Sequence, residues 1–365
     1  MDFAIIEEKT VVSLPKEFFF RYFGWPTVAR FADGRLVLAA SGFRHAHMCP
    51  WGKSVVFESA DEGATWGEPQ IVNDSSVDDR DTGLLALPDG RLLLTWFSSD
   101  MRVYYPPRGE RGGWADPFRA AVEAWSEENV ARDIGSFVRI RDAAGVWGPR
   151  IPVTVTTPHG PTLLRDGSLL YLGKRFARRE NGVYCASMKT LSAGGILAAA
   201  SVDAGATWAE LGAVPAVEGV TFHEPHAIEL SDGTILGLLR GHPAPSESNA
   251  HPHFQIWKTL SRDAGRTWST PEYLAEGSPP HLMRHSSGAI VCVYGYRVAP
   301  FGVRALVSAD EGATWESFVL DAHEPGSDLG YPASVELSDG AILTAFYMQG
   351  DLKTVTWAIR PGRTA

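Results

Sequence analysis

The sequence has few cysteines, no basic cluster and no long apolar segment. Its three cysteines, Cys49, Cys185 and Cys292, are far apart and lack C-x-x-C spacing, which indicates buried thiols in a reduced compartment. The formal net charge of −10, with no basic run, argues against a nucleic-acid partner. No apolar run reaches transmembrane length, and the N-terminal residues lack the features of a signal peptide. We therefore expect a cytoplasmic protein with no membrane partner.

What the sequence does contain is a repeat. The pattern S-x-D-x-G-x-T-W occurs at Ser59–Trp66, Ser201–Trp208, Ser261–Trp268 and Ser308–Trp315, with a weaker copy at Ile140–Trp147. The pattern is typical of a β-hairpin turn in which the Asp accepts backbone N–H groups, the Gly takes a positive φ and the Trp packs beneath. We interpret these aspartates as structural rather than catalytic residues.

A second signal alternates with the first. Hairpin dipeptides between apolar runs occur six times, at Asp33-Gly34, Asp89-Gly90, Asp166-Gly167, Asp232-Gly233, Ser287-Gly288 and Asp339-Gly340. Six units of four short strands, repeated along one chain, predict a β-propeller. The sequence therefore predicts an all-β fold, a single six-bladed propeller domain over residues 1–365. A strand near residues 4–12 is expected to complete the last blade, because an unpaired edge is a liability.

One segment of the second unit departs from the repeat. Residues 101–135, approximately, read as a loop followed by a helical run that begins near Asp116-Pro117. We predict a small helical insertion in blade two. Two interpretations stay open, a surface decoration and a lid over the propeller mouth.

The first strand of each blade lines the channel of a propeller, so its first residues face the mouth. Counting back eight positions from each hairpin dipeptide reaches Trp25, Asp81, Pro158, Glu224, Pro279 and Tyr331. Arg80, His159 and His226 are neighbours of these positions. Polar and ionisable side chains that converge at one end of several strands predict a site.

These repeats and strand starts together resemble the sialidase (neuraminidase) superfamily over residues 20–350, approximately. The resemblance implies a propeller enzyme that hydrolyses a terminal acidic sugar. Gly330-Tyr331-Pro332 is similar to the segment with the tyrosine nucleophile, and His223-Glu224-Pro225 to the segment with its glutamate base. Arg240 and Arg297 are similar to arginines that hold the substrate carboxylate, with Arg304 as a rival for the place of Arg297. A tyrosine needs such a base, and the arginine fork suits a carboxylate.

The sequence departs from the superfamily pattern in blade one. Gly24 stands where the pattern has a further arginine, and the loop of residues 42–53 contains no Asp to act as the acid/base. That loop offers Arg44, His45 and His47 instead. We expect Arg44 to replace the lost arginine, and Asp81 or His47 to act as the acid/base.

Two further functions therefore stay open beside hydrolysis. Elimination on a uronate-containing glycan would use a similar set of arginines with a Tyr or His base, and a non-catalytic propeller would only bind a sugar. The residues expected to contact the sugar, besides those with catalytic roles, are Arg240, Arg297, Arg44, His45, Arg80, His159, His226 and Arg304. Because there is no H-E-x-x-H motif and no Cys/His cluster, we expect no metal and no cofactor. The expected partner is a small acidic sugar or oligosaccharide, and the oligomeric state stays open.

Overall fold

The computed structural model describes residues 1–104, 115–245 and 253–360. In this part of the chain, four-stranded antiparallel blades follow one another, each with its first two strands joined by one predicted hairpin. After the N-terminal strand β1 (Asp2–Val12), the first two blades consist of β2 (Tyr22–Arg30), β3 (Leu36–Arg44), β4 (Lys53–Ser59), β5 (Gln70–Asn73), β6 (Asp78–Ala86), β7 (Leu92–Ser99), β8 (Gly135–Arg141) and β9 (Ile151–Val153).

The third blade is the irregular one, since its innermost strand is split around Pro158 and Gly160. Its strands are β10 (Val155–Thr156), β11 (Thr162–Leu163), β12 (Leu169–Arg175), β15 (Ile196–Ser201) and β16 (Ala209–Ala213), with a separate hairpin of β13 (Ala177–Glu180) and β14 (Val183–Ala186). The fourth and fifth blades consist of β17 (Val220–Glu229), β18 (Ile235–Pro243), β19 (Gln255–Ser261), β20 (Glu272–Glu276), β21 (Ser278–Arg284), β22 (Ile290–Tyr296), β23 (Phe301–Ser308) and β24 (Glu316–Glu324).

The sixth blade closes the ring with both ends of the chain. Its strands from the centre outwards are β25 (Leu329–Glu336), β26 (Ile342–Met348), β27 (Asp351–Arg360) and β1. Strand β1 pairs with β27 from Asp2↔Arg360 to Val12↔Leu352. The prediction of six blades and of an N-terminal strand that completes the last one is confirmed.

The repeated Asp turns join the third and fourth strands of their blades. In the copy after β15, Asp203 Oδ1 accepts hydrogen bonds from the Ser201 hydroxyl and the Thr207 amide, both at 2.8 Å. Its Oδ2 accepts the Thr207 hydroxyl at 2.6 Å, and Gly205 has a φ of +92°. The same three bonds recur in the other complete copies. These carboxylates are committed to the turns, which agrees with a structural role.

Two excursions leave the repeat. A 3-10 turn (Met101–Tyr104) and helices α1 (Ala115–Glu123) and α2 (Glu127–Asp133) lie between β7 and β8, and residues 105–114 of the predicted insertion lie outside the described residues. Met101 and Phe118 pack with Trp51, so α1 lies against the blade-one loop. A second excursion in blade three, β13–β14 with α3 (Met188–Ala193), was not predicted. No helix within the described ranges is long and apolar enough to span a membrane.

Three histidines meet in the central channel below the mouth. The ring centroids of His159, His226 and His281 lie 4.6 to 5.9 Å apart, and all three side chains are buried. His226 Nδ1 accepts the Leu282 amide at 3.0 Å, and His281 Nδ1 accepts the Ser334 amide at 3.3 Å. Burial lowers the pKa of His226 to about 4 and that of the other two well below the ordinary value. The channel is therefore filled by neutral imidazoles.

The closing strand gives a first test of the fold. Phe3 of β1 stacks on Phe318 at 4.8 Å and contacts Trp357 at 6.4 Å between ring centroids. Phe3→Ala should lower the free energy of unfolding by about 1–2 kcal/mol because this partly buried contact anchors the strand. Chemical denaturation measures the effect, with Ile6→Ala as a control, since Ile6 on the same strand is 55% exposed. Equal stability of the two variants would show that β1 is not anchored here.

The channel histidines predict an acid-sensitive fold. Between pH 6.5 and about 4 the unfolded chain protonates His226 whereas the folded chain does not, so the free energy of unfolding falls as pH falls. The maximum slope for one such group is about 1.4 kcal/mol per pH unit. His226→Asn, whose side-chain oxygen can accept the Leu282 amide, should reduce this slope in denaturation curves, and the exposed His323→Asn should not. An unchanged slope in His226→Asn would contradict the prediction.

Candidate active site

Four of the six predicted mouth positions have a strained backbone. Trp25, Asp81, Glu224 and Tyr331 have φ of +54°, +51°, +41° and +49°, and each lies at a bulge in the pairing of its innermost strand. A bulge re-aims a side chain, and non-glycine residues with positive φ cluster at functional sites. The other two positions, Pro158 and Pro279, have a ring that holds φ negative. The bulges thus redirect the side chains at four of the six mouth positions.

Tyr331, Glu224 and Arg240 form one hydrogen-bonded group. The Tyr331 hydroxyl donates to Glu224 Oε1 at 2.7 Å, and Arg240 Nη1 donates both to the Tyr331 oxygen at 2.9 Å and to Glu224 Oε2. Because the arginine donates to the tyrosine oxygen, the hydroxyl proton points at the carboxylate. The three residues come from blades four and six and meet across the mouth.

The pKa values of this group assign its protons. Burial, and then the Glu224 charge, raise the pKa of Tyr331 well above its ordinary value, so the tyrosine is neutral. Burial acts to raise the pKa of Glu224, but the Arg240 charge and hydrogen bond outweigh it and lower that pKa to about 2. The resting state is therefore a phenol next to a carboxylate that arginine stabilises.

Arg297 lies on the other side of the tyrosine ring. Its guanidinium carbon is 5.4 Å from the Tyr331 ring centroid, and its Nε donates to the Leu329 carbonyl at 2.9 Å. A cavity of about 220 Å³ opens beside it, lined also by Phe254 and Ser278. The Arg240 guanidinium stacks on Phe254, with 4.0 Å between its central carbon and the ring centroid. Ser278 Oγ is buried with no hydrogen-bond partner in the described ranges. Two arginines and an unused hydroxyl thus surround this part of the mouth.

Asp81 is a buried carboxyl with an unusual pKa. It is 6% exposed, its Oδ1 has no hydrogen-bond partner among the described residues, and Arg80 Nε lies 4.0 Å away. Burial raises its pKa to about 7; the Arg80 charge opposes this shift and the Glu224 charge adds to it. At neutral pH this carboxyl is protonated in about half of the molecules. It can therefore donate a proton, which an ordinary aspartate cannot do at that pH.

His47 is held by a carboxylate that the sequence did not reveal. Its Nδ1 lies 3.0 Å from Asp328 Oδ1, and Asp328 also accepts the hydroxyls of Tyr22 and Tyr347 at 3.1 Å. Burial raises the pKa of Asp328, but these hydrogen bonds outweigh it and lower the pKa. Burial and the charges of two arginines lower the pKa of His47, while Asp328 opposes the shift. His47 is thus an oriented, mostly neutral imidazole at the mouth.

The space near Gly24 explains the lost arginine of blade one. A Cβ at Gly24 would lie 3.1 Å from a ring carbon of Tyr22 and 3.7 Å from one of Tyr347. The two tyrosines therefore occupy the volume into which a longer side chain would extend, and they bind Asp328 there. This wall of the mouth carries a carboxylate instead of a guanidinium.

The structure does not place Arg44 where it could replace that arginine. Arg44 is fully buried, and its two Nη atoms bind Asp78 at 2.7 and 2.9 Å, so it is occupied by an internal ion pair. Arg80 lies nearer the opening. Its guanidinium carbon lies 4.7 Å from the Trp25 ring centroid, and its buried Nε has no hydrogen-bond partner in the described part.

The remaining predicted contacts lie away from the tyrosine. His45 stacks on Phe19 at 4.1 Å between ring centroids and lies 3.0 Å from the Phe19 carbonyl. Arg304 stacks on Tyr296, with 3.3 Å between its guanidinium carbon and the ring centroid. His159 and His226 lie in the channel beneath the site. In the described ranges, no group of three His, Cys, Asp or Glu residues is placed to hold a metal ion.

Sequence reasoning also missed Lys174. It pairs with Thr156 across the first two strands of blade three. Arg240, which pairs with His223, occupies the equivalent position of blade four. Both lie seven residues after the glycine of their hairpin dipeptide. The count that located the first-strand residues, applied to the second strand, would have found Lys174 and Tyr347.

Comparisons with known proteins agree with this fold. A family model described as a BNR repeat-like domain matches residues 159–344, which is half of the chain. No curated protein sequence matches. A protein of unknown function from Dyadobacter fermentans has a similar structure, with a TM-score of 0.75 and 20% identity, over 98% of this chain and 99% of that one.

Two enzymes of known type are similar at lower identity. The NanB sialidase from Streptococcus pneumoniae has a TM-score of 0.61 and 14% identity over 96% of this chain and 70% of its own. The alpha-L-arabinanase of Penicillium chrysogenum has a TM-score of 0.62 and 14% identity over 97% and 98%. At these identities the likeness shows a shared fold, which glycoside hydrolases also use. The chain is thus a six-bladed propeller that belongs to the BNR repeat-like domain family, as its resemblance to the sialidase superfamily implied.

Proposed function

We propose that this protein is a glycoside hydrolase that releases a terminal, carboxylate-bearing sugar, with Tyr331 as its nucleophile. The observation that carries the proposal is the 2.7 Å hydrogen bond from the Tyr331 hydroxyl to Glu224, at strained positions of blades four and six. A tyrosine is a weak nucleophile at its ordinary pKa and needs an adjacent base. Glu224 is ionised and already accepts the proton that must leave.

The choice of a phenol follows from the charge of the substrate. A carboxylate nucleophile would be repelled by a carboxylate on the reacting sugar, whereas the attacking oxygen of Tyr331 belongs to an uncharged phenol until its proton passes to Glu224. Arg240 and Arg297 flank the tyrosine and present planar donor groups that suit a carboxylate. A substrate carboxylate that draws Arg240 from Glu224 would also make Glu224 a stronger base, because Arg240 lowers its pKa.

The proton for the leaving group comes from Asp81 in this proposal. Its raised pKa keeps a proton available near neutrality, and it faces the same opening as Glu224. His47, with Asp328 behind it, contacts the sugar from the blade-one wall. The acidic wall at Asp328 favours hydroxyl or amide donors of the sugar there, and leaves the carboxylate to the arginines.

The reaction proceeds by two displacements. Tyr331 oxygen bonds to the anomeric carbon while its proton moves to Glu224, and the glycosidic bond breaks as Asp81 protonates the leaving oxygen. Water then attacks the anomeric carbon, giving one proton to the Asp81 carboxylate, while the bond to Tyr331 breaks and Glu224 returns the proton to the phenol. Two inversions retain the configuration of the sugar.

Removal of one oxygen atom tests the nucleophile. Purified protein is first screened against α-sialosides and uronate-containing oligosaccharides for released sugar and for the ultraviolet absorbance of a new double bond. On the hydrolysed substrate, Tyr331→Phe should lower kcat by roughly 10³-fold or more. Tyr347→Phe, whose ring lies 6.1 Å from that of Tyr331, should lose about tenfold or less because its hydroxyl binds Asp328 and Arg297 and not Glu224.

Three results would overturn the proposal. Full hydrolysis by Tyr331→Phe would remove the tyrosine from the chemistry. New absorbance without hydrolysis would identify an elimination, and sugar binding without either signal would identify a binding protein.

The acid is tested by its pH dependence. Because Asp81 must be protonated, kcat/KM for a poor leaving group should fall about tenfold per pH unit above pH about 7. Asp81→Asn should lose activity on such substrates but keep most of it on the 4-nitrophenyl glycoside of the same sugar, whose leaving group needs no proton. If Asp81→Asn keeps both activities and the alkaline limb, Asp81 is not the acid, and the same comparison with His47→Gln tests its rival.

A further inference from the structure

A second cavity opens from the catalytic group on the side away from Arg297. It lies between blades two, three and four. Its volume of about 290 Å³ is close to the lower limit for ligand pockets. Asp81 and Glu224 form one wall, and Phe97 and Met188 form a half-buried apolar one. Lys174 and His223 also line the cavity. The cavity therefore contacts the base and the proposed acid at once.

Lys174 is a buried cation without a carboxylate partner. It is 4% exposed, and its Nζ lies 3.4 Å from the Phe222 carbonyl and 3.1 Å from His223 Nδ1. Within the described residues it forms no salt bridge, while the nearby Glu224 is already bound by Arg240 and Tyr331. Burial lowers the pKa of Lys174 to about 8, with the Glu224 charge opposing the shift, so the ammonium is still mostly protonated at pH 7.

The neighbours of Lys174 add hydrogen-bonding capacity. The ammonium lies 3.1 Å from His223 Nδ1 and 3.4 Å from its Nε2, and in the neutral imidazole one nitrogen accepts while the other carries a hydrogen and is a donor. Burial, and then the Lys174 charge, lower the pKa of His223 to about 4, which keeps the ring neutral. Thr156 Oγ1 and Asp81 Oδ1, which belong to residues that line this cavity, are buried and have no hydrogen-bond partner among the described residues. A buried ammonium without a salt bridge, and polar atoms without a hydrogen bond, are costly unless a ligand satisfies them.

We infer that this cavity binds the leaving group and that Lys174, with His223, recognises an oxyanion on it, a carboxylate or a sulfate. The assignment of this cavity to the leaving group rests on the proposed function, in which Asp81 contacts and protonates the departing oxygen. Phe97 and Met188 suit the apolar face of a sugar ring. The preferred substrate would then carry one anion on each side of the scissile bond, held by Arg297 on one side and Lys174 on the other.

The test measures the pKa of Lys174 directly and requires no catalysis. Protein labelled with ¹³Cε-lysine is titrated by NMR with D-glucuronate, D-glucose 6-sulfate and D-glucose, with the Lys174 signal assigned from Lys174→Arg. An oxyanion beside the ammonium should raise the pKa of Lys174 by about one unit, which corresponds to about tenfold tighter binding to the charged form. Glucose should leave the pKa unchanged.

Matched variants separate this cavity from the arginine side. Lys174→Met should weaken binding of the anionic probes about tenfold or more, whereas Lys189→Met, which removes an exposed charge from the adjacent α3, should not. In Arg297→Met the response of Lys174 should persist. Its loss there would show that the anion binds at the arginines.

The outcomes distinguish this inference from the proposed hydrolysis. A response to glucuronate alone or to the sulfate alone supports the oxyanion pocket and identifies the group. An equal response to glucose, or no response to any probe, overturns it, even if the protein hydrolyses a glycoside. A Lys174 response in a protein that hydrolyses nothing would retain the oxyanion pocket and sink the hydrolase.

Discussion

The site depends on one contact across the mouth, the hydrogen bond between the Tyr331 hydroxyl and the Glu224 carboxylate. It joins the innermost strands of blades four and six, between residues 107 positions apart in the sequence. Arg240 fixes its direction, since an arginine that donates to the phenol oxygen leaves the phenol proton nowhere to go but the carboxylate. Three residues thus define a proton path before any substrate arrives.

The backbone supports that contact at a cost. Four non-glycine residues at the mouth adopt positive φ, which is tolerated only where the surroundings over-determine the conformation. The surroundings here are the hairpins and the Asp turns, whose hydrogen bonds are satisfied within each turn and recur from blade to blade. A regular repeat therefore holds four residues in a strained conformation at the mouth, at positions that would face a ligand.

Sequence reasoning succeeded where the signal was periodic. The hairpin dipeptides predicted six blades, and one fixed count from them reached Asp81, Glu224 and Tyr331 from the sequence alone. It failed where partners are set by tertiary packing. Nothing in the sequence links His47 to Asp328, 281 residues away, or pairs Arg44 with Asp78 in a buried bridge that removes it from the mouth. The blade-three excursion was missed because no period marks its position.

Burial keeps the floor of the mouth neutral beneath its positively charged side chains. Arg80, Arg240 and Arg297 lie around the opening, and Lys174 lies beside it, so a protonated imidazole in the channel below would face several cations with little water to screen them. Burial keeps His159, His226 and His281 uncharged, and their Nδ1 hydrogen bonds to backbone or hydroxyl groups orient the rings. The positive potential is thereby concentrated at the mouth, where an anionic sugar would meet it, instead of being spread down the axis.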